Sequence, residues 1–302
     1  MNKPQKQLIS SDLKGIILIL SAAVLWGTTG TSQAFAPMGS TPRTIGALRL
    51  AVAGICLFIM AVGRDRNFYR NMPLKPVLAA GVFVAAYQVF FFWGVSLTGV
   101  AVGTIVGIGS SPIFAGILGR LFLKEKLQPK WIAATLCAIM GCALLAGSSS
   151  ALTISIPGIL LSAGAGFAYA TYTIFIKILL PGRRAGAVTA MVFCTGAILL
   201  LPLLYGADLR WVAQPAGFMV ILHLGIIATA VSYILFSRGL ALTQASTAVT
   251  LSLAEPVTAG MLGVFVLGEQ LTFTAWCGVC CILSGLSILA IRKPGKRRAH
   301  SR

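Results

Sequence analysis

Carboxylates are scarce in this chain: Asp and Glu number six among 302 residues, against 24 Lys and Arg. Histidine occurs twice. Acid–base and metal-assisted catalysis draw on clusters of such groups, and these are too few and too scattered to form one, which argues against an enzyme. Charge of either sign is low: 10% of residues are charged, where soluble domains carry about 25%. Long polar stretches are missing, so a sensor's soluble output domain has no room. No glycine-rich loop joins a strand to a helix, which excludes a phosphate-binding loop and ATP-driven machinery. The short alternating segments that build membrane β-barrels are absent as well.

What remains is apolar. Hydrophobic residues make up 57% of the chain. About 20 apolar residues cross a bilayer, and the sequence predicts ten such spans at 15–36, 43–62, 75–96, 99–121, 130–147, 157–178, 186–205, 215–236, 244–267 and 272–291. In lipid the backbone must satisfy its own hydrogen bonds, so these spans are expected to be helices. The first resembles a signal peptide, with "QAFA" as a small-residue cleavage site. Its apolar run is too long for that, and it is expected to stay in the mature protein.

The positive charge is arranged, not spread. With the N-terminus inside, 21 of the 24 Lys and Arg fall on inside segments, leaving Arg43, Arg49 and Arg210. That bias predicts an even number of spans with both termini cytoplasmic. The basic tail 293–302 then reads as a topology and lipid-surface signal, not a nucleic-acid arm. All seven Cys lie in apolar spans, including "CGVCC" at 277–281. Without polar helpers they read as small packing residues, so neither metal nor cofactor is expected.

The chain repeats itself at an offset of 144 residues: "SSPIFAGILGRLFLKEKLQ" at 110–128 against "AEPVTAGMLGVFVLGEQLT" at 254–272. Pro112 matches Pro256, Gly119 matches Gly263, Glu125 matches Glu269, and beyond the segment Cys137 matches Cys281. Two units are predicted, 12–147 and 155–292, each with five spans. Five is odd, so the second copy enters the membrane from the opposite side. Inverted repeats are typical of secondary transporters, with the substrate near mid-membrane between the halves.

Polar residues inside the spans are the candidate site. Glu255 lies about 16 Å deep by helical rise, where a charge costs about 2.5–3.5 kcal/mol. Protonation, a cationic partner or a water-filled cavity would each compensate. So would a structural hydrogen bond to the backbone freed by Pro256, which removes a donor and displaces the Ser252 carbonyl; Pro112 does the same to Ile108. The first copy has Ser111 in place of Glu255. Arg49 has three readings: a ligand for a substrate carboxylate, a partner for Glu255, or an anchor that snorkels outward. Trp26, Thr28, Thr29, Tyr87, Gln88, Phe91 and Trp93 cluster in the first copy, and Tyr169, Tyr172, His223, Ser232 and Tyr233 in the second. They either pack the core or line a cavity for a compact zwitterion, whose ammonium the aromatic faces would attract. Glu125 and Glu269 are expected to brace the repeats, and Lys177 to snorkel.

"LWGTTG", "ALRLAVAG" and the two Pro-to-Glu segments resemble the EamA-type branch of the drug/metabolite transporter superfamily. The resemblance spans about residues 12–292. It implies ten helices as two inverted five-helix repeats, in a bacterial inner membrane, around a central cavity. By resemblance Trp26, Arg49 and Glu255 match recurring positions. Such proteins mostly export small metabolites such as amino acids and their derivatives, in some cases opine-type metallophores; the expectation for this chain is an exporter of that kind working by alternating access, proton-coupled or facilitative. Lipophilic-cation efflux and nutrient uptake are the alternatives. The expected partners are a small-molecule substrate and the lipid bilayer, with no nucleic acid, in a monomer or homodimer.

Overall fold

The computed structural model describes residues 3–147 and 155–291; the expected basic tail lies outside the described residues. Ten helices among them are long and apolar enough to cross a membrane. They are α1 (Asp12–Ala34), α2 (Pro42–Arg64), α3 (Leu74–Gly99), α4 (Ala101–Phe122), α5 (Pro129–Ala146), α6 (Ile156–Leu179), α7 (Ala185–Leu204), α8 (Pro215–Leu242), α9 (Ala245–Leu267) and α10 (Phe273–Ala290). The largest departure from expectation is α8, which continues to Leu242 instead of stopping at 236. The extension carries Arg238 within the helix.

Local chemistry starts these helices where they start. Pro42, Pro129 and Pro215 occupy first-turn positions of α2, α5 and α8, where no backbone donor is needed. Thr41 caps α2 reciprocally with Thr44, and Ser155 and Thr272 cap α6 and α10.

The two units interlock. α6 packs along α3 and α4, and α1 correspondingly packs along α8 and α9; α2 meets α7, and α5 meets α10. Each contact joins one unit to the other in the exchanged manner an inverted repeat requires. α5 and α10 approach closely: a Cβ on Gly141 would lie 2.6 Å from the Gly278 carbonyl oxygen, and one on Gly278 equally near that of Gly141. Beside them the Cys137 thiol donates to the carbonyl of its repeat twin Cys281 at 3.2 Å.

The turns α2–α3, α4–α5, α6–α7 and α8–α9 share one side of the bundle, the basic face. There Glu125 holds the start of α9: its carboxylate accepts from the Ala245 N–H at 2.5 Å, the Ser246 N–H at 3.1 Å and the Ser246 hydroxyl at 2.6 Å. A buried carboxylate thus meets the open donors and positive dipole end of a helix of the other repeat. Its twin Glu269 is exposed on the opposite face, and its carboxylate has no hydrogen-bond partner among the described residues, so only one of the two expected braces forms. Lys177 does not snorkel. It donates to the Leu240 and Thr243 carbonyls, both at 2.6 Å, closing the C-terminal end of α8.

The two prolines act differently. α4 runs through Pro112 without a break, because the Ser111 hydroxyl donates to the stranded Ile108 carbonyl at 2.7 Å. α9 is interrupted at Ser252 and Leu253, between Leu251 and Ala254. There the Glu255 N–H donates to the Ser252 carbonyl at 2.9 Å. α8 widens into π-helical turns over His223–Val231, and the Thr229 hydroxyl reaches back to the Leu224 carbonyl at 2.7 Å.

Replacing Glu125 with Ala strands the donors at the start of α9. The expected cost is about 2–4 kcal/mol, read as a lower melting temperature of the purified protein. Glu269→Ala, at a site that holds nothing in this conformation, should melt like the parent.

Candidate functional site

A cavity of about 80 Å³ lies between the two repeats. α1 through α4 supply one wall; α6, α8 and α9 supply the other. α5, α7 and α10 take no part in it. Eight of the nine expected residues line it: Trp26, Thr29, Arg49, Tyr87, Gln88, Tyr169, Tyr233 and Glu255. Gln33, near the far end of α1, and Phe92 extend the lining toward the face opposite the basic one.

Tyr172 is the exception. It is fully buried, with its ring 6.0 Å from Tyr233 and 6.1 Å from Phe193. One helical turn beyond Tyr169, it falls on the basic-face side of the cavity, in a layer that packs instead of lining. Phe193 and Phe236 complete that layer; Trp26 stands 4.9 Å from Tyr233 and 5.3 Å from Phe236. Other aromatic and polar candidates also lie elsewhere. Thr28 bonds His223 at 2.9 Å outside the cavity, Trp93 is exposed on the outer surface, and the Ser232 hydroxyl returns to its own helix.

Arg49 is buried and does not snorkel. With the Gln88 amide turned so that its oxygen faces the guanidinium, it accepts from Arg49 Nη2 at 3.0 Å and Nε at 3.1 Å. The pair fixes a cation in apolar surroundings by charge-assisted hydrogen bonds, without neutralising it. Arg49 makes no ion pair with Glu255 among the described residues, although both face the same cavity.

Glu255 sits at the first turn of the helix that restarts after the break in α9. Its backbone N–H already serves the carbonyl that Pro256 strands. Its carboxyl group therefore has no structural duty there, and it has no hydrogen-bond partner among the described residues. Gly27 lets α1 lie on this break: a Cβ there would be 2.8 Å from the Glu255 carbonyl oxygen. The Trp26 indole N–H is buried at the cavity without a hydrogen-bond partner among the described residues.

Repeat twins meet here. Ser111 and Glu255 occupy equivalent positions and line the same cavity, as do Ile108 and Ser252. Gln33 was legible but missed: Trp26, Thr29 and Gln33 share one face of α1 by helical spacing.

A cavity between inverted repeats, walled by helices of both, is a transporter's architecture, and comparison with known proteins agrees. The EamA-like transporter family matches residues 13–147 and 156–291. The chain belongs to this family. An uncharacterized transporter of Bacillus subtilis, YwfM, is 43% identical over 94% of the chain and 96% of its own length. A probable terminal-alkyne amino-acid exporter of Streptantibioticus cattleyicolor is 26% identical over 95% of the chain and 97% of that protein. A probable amino-acid metabolite efflux pump of Salmonella typhimurium is 27% identical, covering 90% and 93%. A solved crystal structure with 17% identity superposes at a TM-score of 0.81 over 91% of this transporter and 96% of that chain, which shows the shared fold.

Gln88→Leu in this transporter leaves the Arg49 guanidinium in apolar surroundings without its acceptor. A loss of about 1–3 kcal/mol is expected, measured by thermal melting. Tyr172→Phe, which keeps the ring packing, should change stability by less than about 0.5 kcal/mol.

Proposed function

We propose that this transporter exports a small amphoteric metabolite, an amino acid or a derivative of one, by alternating access. The observation that carries the reading is the Glu255 carboxyl group: it faces the central cavity and serves no structural bond. A membrane-embedded ionisable group with no scaffolding role reads as part of a substrate or proton path. Arg49, held by Gln88 in the same cavity, meets the cargo's carboxylate, and Glu255 meets its ammonium or exchanges a proton as the cargo moves. Trp26, Tyr87, Tyr169 and Tyr233 shape the walls. An opine-type metallophore fits the same chemistry at larger size.

The dimensions support a compact cargo. Drug-sized ligands occupy about 300–1,000 Å³, whereas this cavity has about 80 Å³, room for a few water molecules. Arg49 weighs against lipophilic cations. The names of the Streptantibioticus and Salmonella relatives support the amino-acid class. The charge bias supports a cytoplasmic basic face, and a bacterial inner membrane goes with that reading. The cavity lining then extends outward, and the aromatic layer with the Glu125 brace closes the inner side.

The test is mass spectrometry of medium and cell extract from a deletion strain and an overproducer. A zwitterionic compound should move from cells to medium with expression. Glu255→Gln should insert normally yet lose gradient-driven export by about tenfold or more, the scale of one lost charge-assisted contact. Export by Glu255→Gln at the parental rate and with the parental pH dependence would remove Glu255 from the mechanism. Movement only from medium to cells would replace export with uptake.

A further inference from the structure

A second recess, of about 830 Å³, opens on the basic face between the ends of α2 and α8 and the turn before α7. Four arginines line it, Arg64, Arg183, Arg184 and Arg238, and Asp65 is its one acidic lining residue. Asp65 is committed locally, accepting from the Asn67 N–H at 2.9 Å. The deeper wall is apolar, with Leu57, Ala61, Phe68 and Ile234.

Two of the arginines are held in place by the backbone. Arg183 donates from Nε to the Asn71 carbonyl at 3.1 Å and from Nη1 to the Leu179 carbonyl at 3.2 Å. Arg184 donates from Nη1 to the Arg64 carbonyl at 3.4 Å. Carbonyls orient these groups but leave their charge uncompensated. Arg238 stands within α8, exposed to the recess, and its guanidinium meets no carboxylate or carbonyl among the described residues.

Membrane topology accounts for the sign of these charges and for the face they occupy. It does not account for their convergence over an apolar wall. Arg120, Lys124 and Lys126 serve topology from the same face without lining either cavity. Planar guanidinium forks bind phosphate oxygens two at a time. Basic pockets between membrane helices on the cytoplasmic side suit anionic headgroups, and that leaflet supplies them.

We propose that this recess binds a phosphate-bearing anion: the headgroup of an anionic phospholipid whose chains lie along the apolar wall, or a soluble phosphate ester. Its walls come from α2 of the first repeat and from α7 and α8 of the second. An occupant therefore ties the repeats together on the face where Glu125 already does. Occupancy favours the conformation closed on that face, whatever the cargo.

The experiment uses the purified full chain in a neutral detergent, titrated separately with phosphatidylglycerol, phosphatidylcholine and glycerol 3-phosphate, and read by melting temperature and by native mass spectrometry. Phosphatidylglycerol should stabilise the chain in a saturable way and phosphatidylcholine should not. Arg238→Gln and Arg184→Gln should each weaken the apparent affinity about tenfold, while Arg120→Gln stays within about twofold. Competition by glycerol 3-phosphate identifies soluble phosphate as a sufficient ligand; its failure to compete identifies the lipid. Arg238→Lys, which keeps the charge but not the fork, should melt like the parent without lipid and bind several-fold more weakly. If a Gln variant does not insert, this one is held to the same criterion. Equal stabilisation by both lipids, or parental affinity in the Arg238 variants, overturns the proposal.

Discussion

No water reaches the interior of a bilayer to satisfy a stranded peptide group. This transporter places a proline at the same point of both repeats, and each proline strands a carbonyl. The repairs differ. In α4 the Ser111 hydroxyl bonds to Ile108 and the helix continues. In α9 the helix breaks, the Glu255 backbone N–H takes the Ser252 carbonyl, and the side chain is released. One Ser-to-Glu difference between copies therefore separates a hydroxyl that bonds its own helix from a carboxyl group left toward the cavity. The central cavity forms around that difference, with Gly27 keeping α1 close enough to close it.

The same asymmetry runs through the bundle. On the basic face, a buried carboxylate of the first repeat grips the start of α9 through three hydrogen bonds. On the opposite face, Glu269 has the equivalent sequence position, and its carboxylate has no hydrogen-bond partner among the described residues. Tyr172, Phe193 and Phe236 fill the space between the cavity and the gripped face. An inverted repeat makes the two faces interconvertible in principle. On the proposed alternating access, which one is shut depends on which of two like contacts is made.

Much of this was legible in the sequence because it follows from period, length and charge sign. Apolar runs marked all ten spans, and the offset repeat set the inverted halves. Eight candidate residues converged because each was polar or aromatic at a depth that lipid does not tolerate without reason. Depth alone cannot give azimuth. Tyr169 and Tyr172 lie three residues apart on α6, and only the packing of α7 and α8 decides that one lines the cavity and the other fills the layer behind. Pro112 and Pro256 likewise look alike until the hydroxyl of Ser111 is placed. Lys177 looked like a snorkelling lysine because its partners are the backbone carbonyls of Leu240 and Thr243 at the end of α8, which carry no sequence signature. The π-helical turns of α8 have none either.

The unpaired state of Arg49 and Glu255 is the most informative feature of the cavity. A direct buried ion pair would satisfy both charges and leave nothing for a ligand to do. Here Gln88 orients the cation without neutralising it, and the carboxyl group stands free across the cavity. A molecule carrying both an ammonium and a carboxylate satisfies both ends at once. A simple cation meets Glu255 but must tolerate Arg49 beside it, and a simple anion faces the reverse conflict. On the proposed function, discrimination rests on two charges kept apart by the scaffold, since each penalises the ligands that the other would accept.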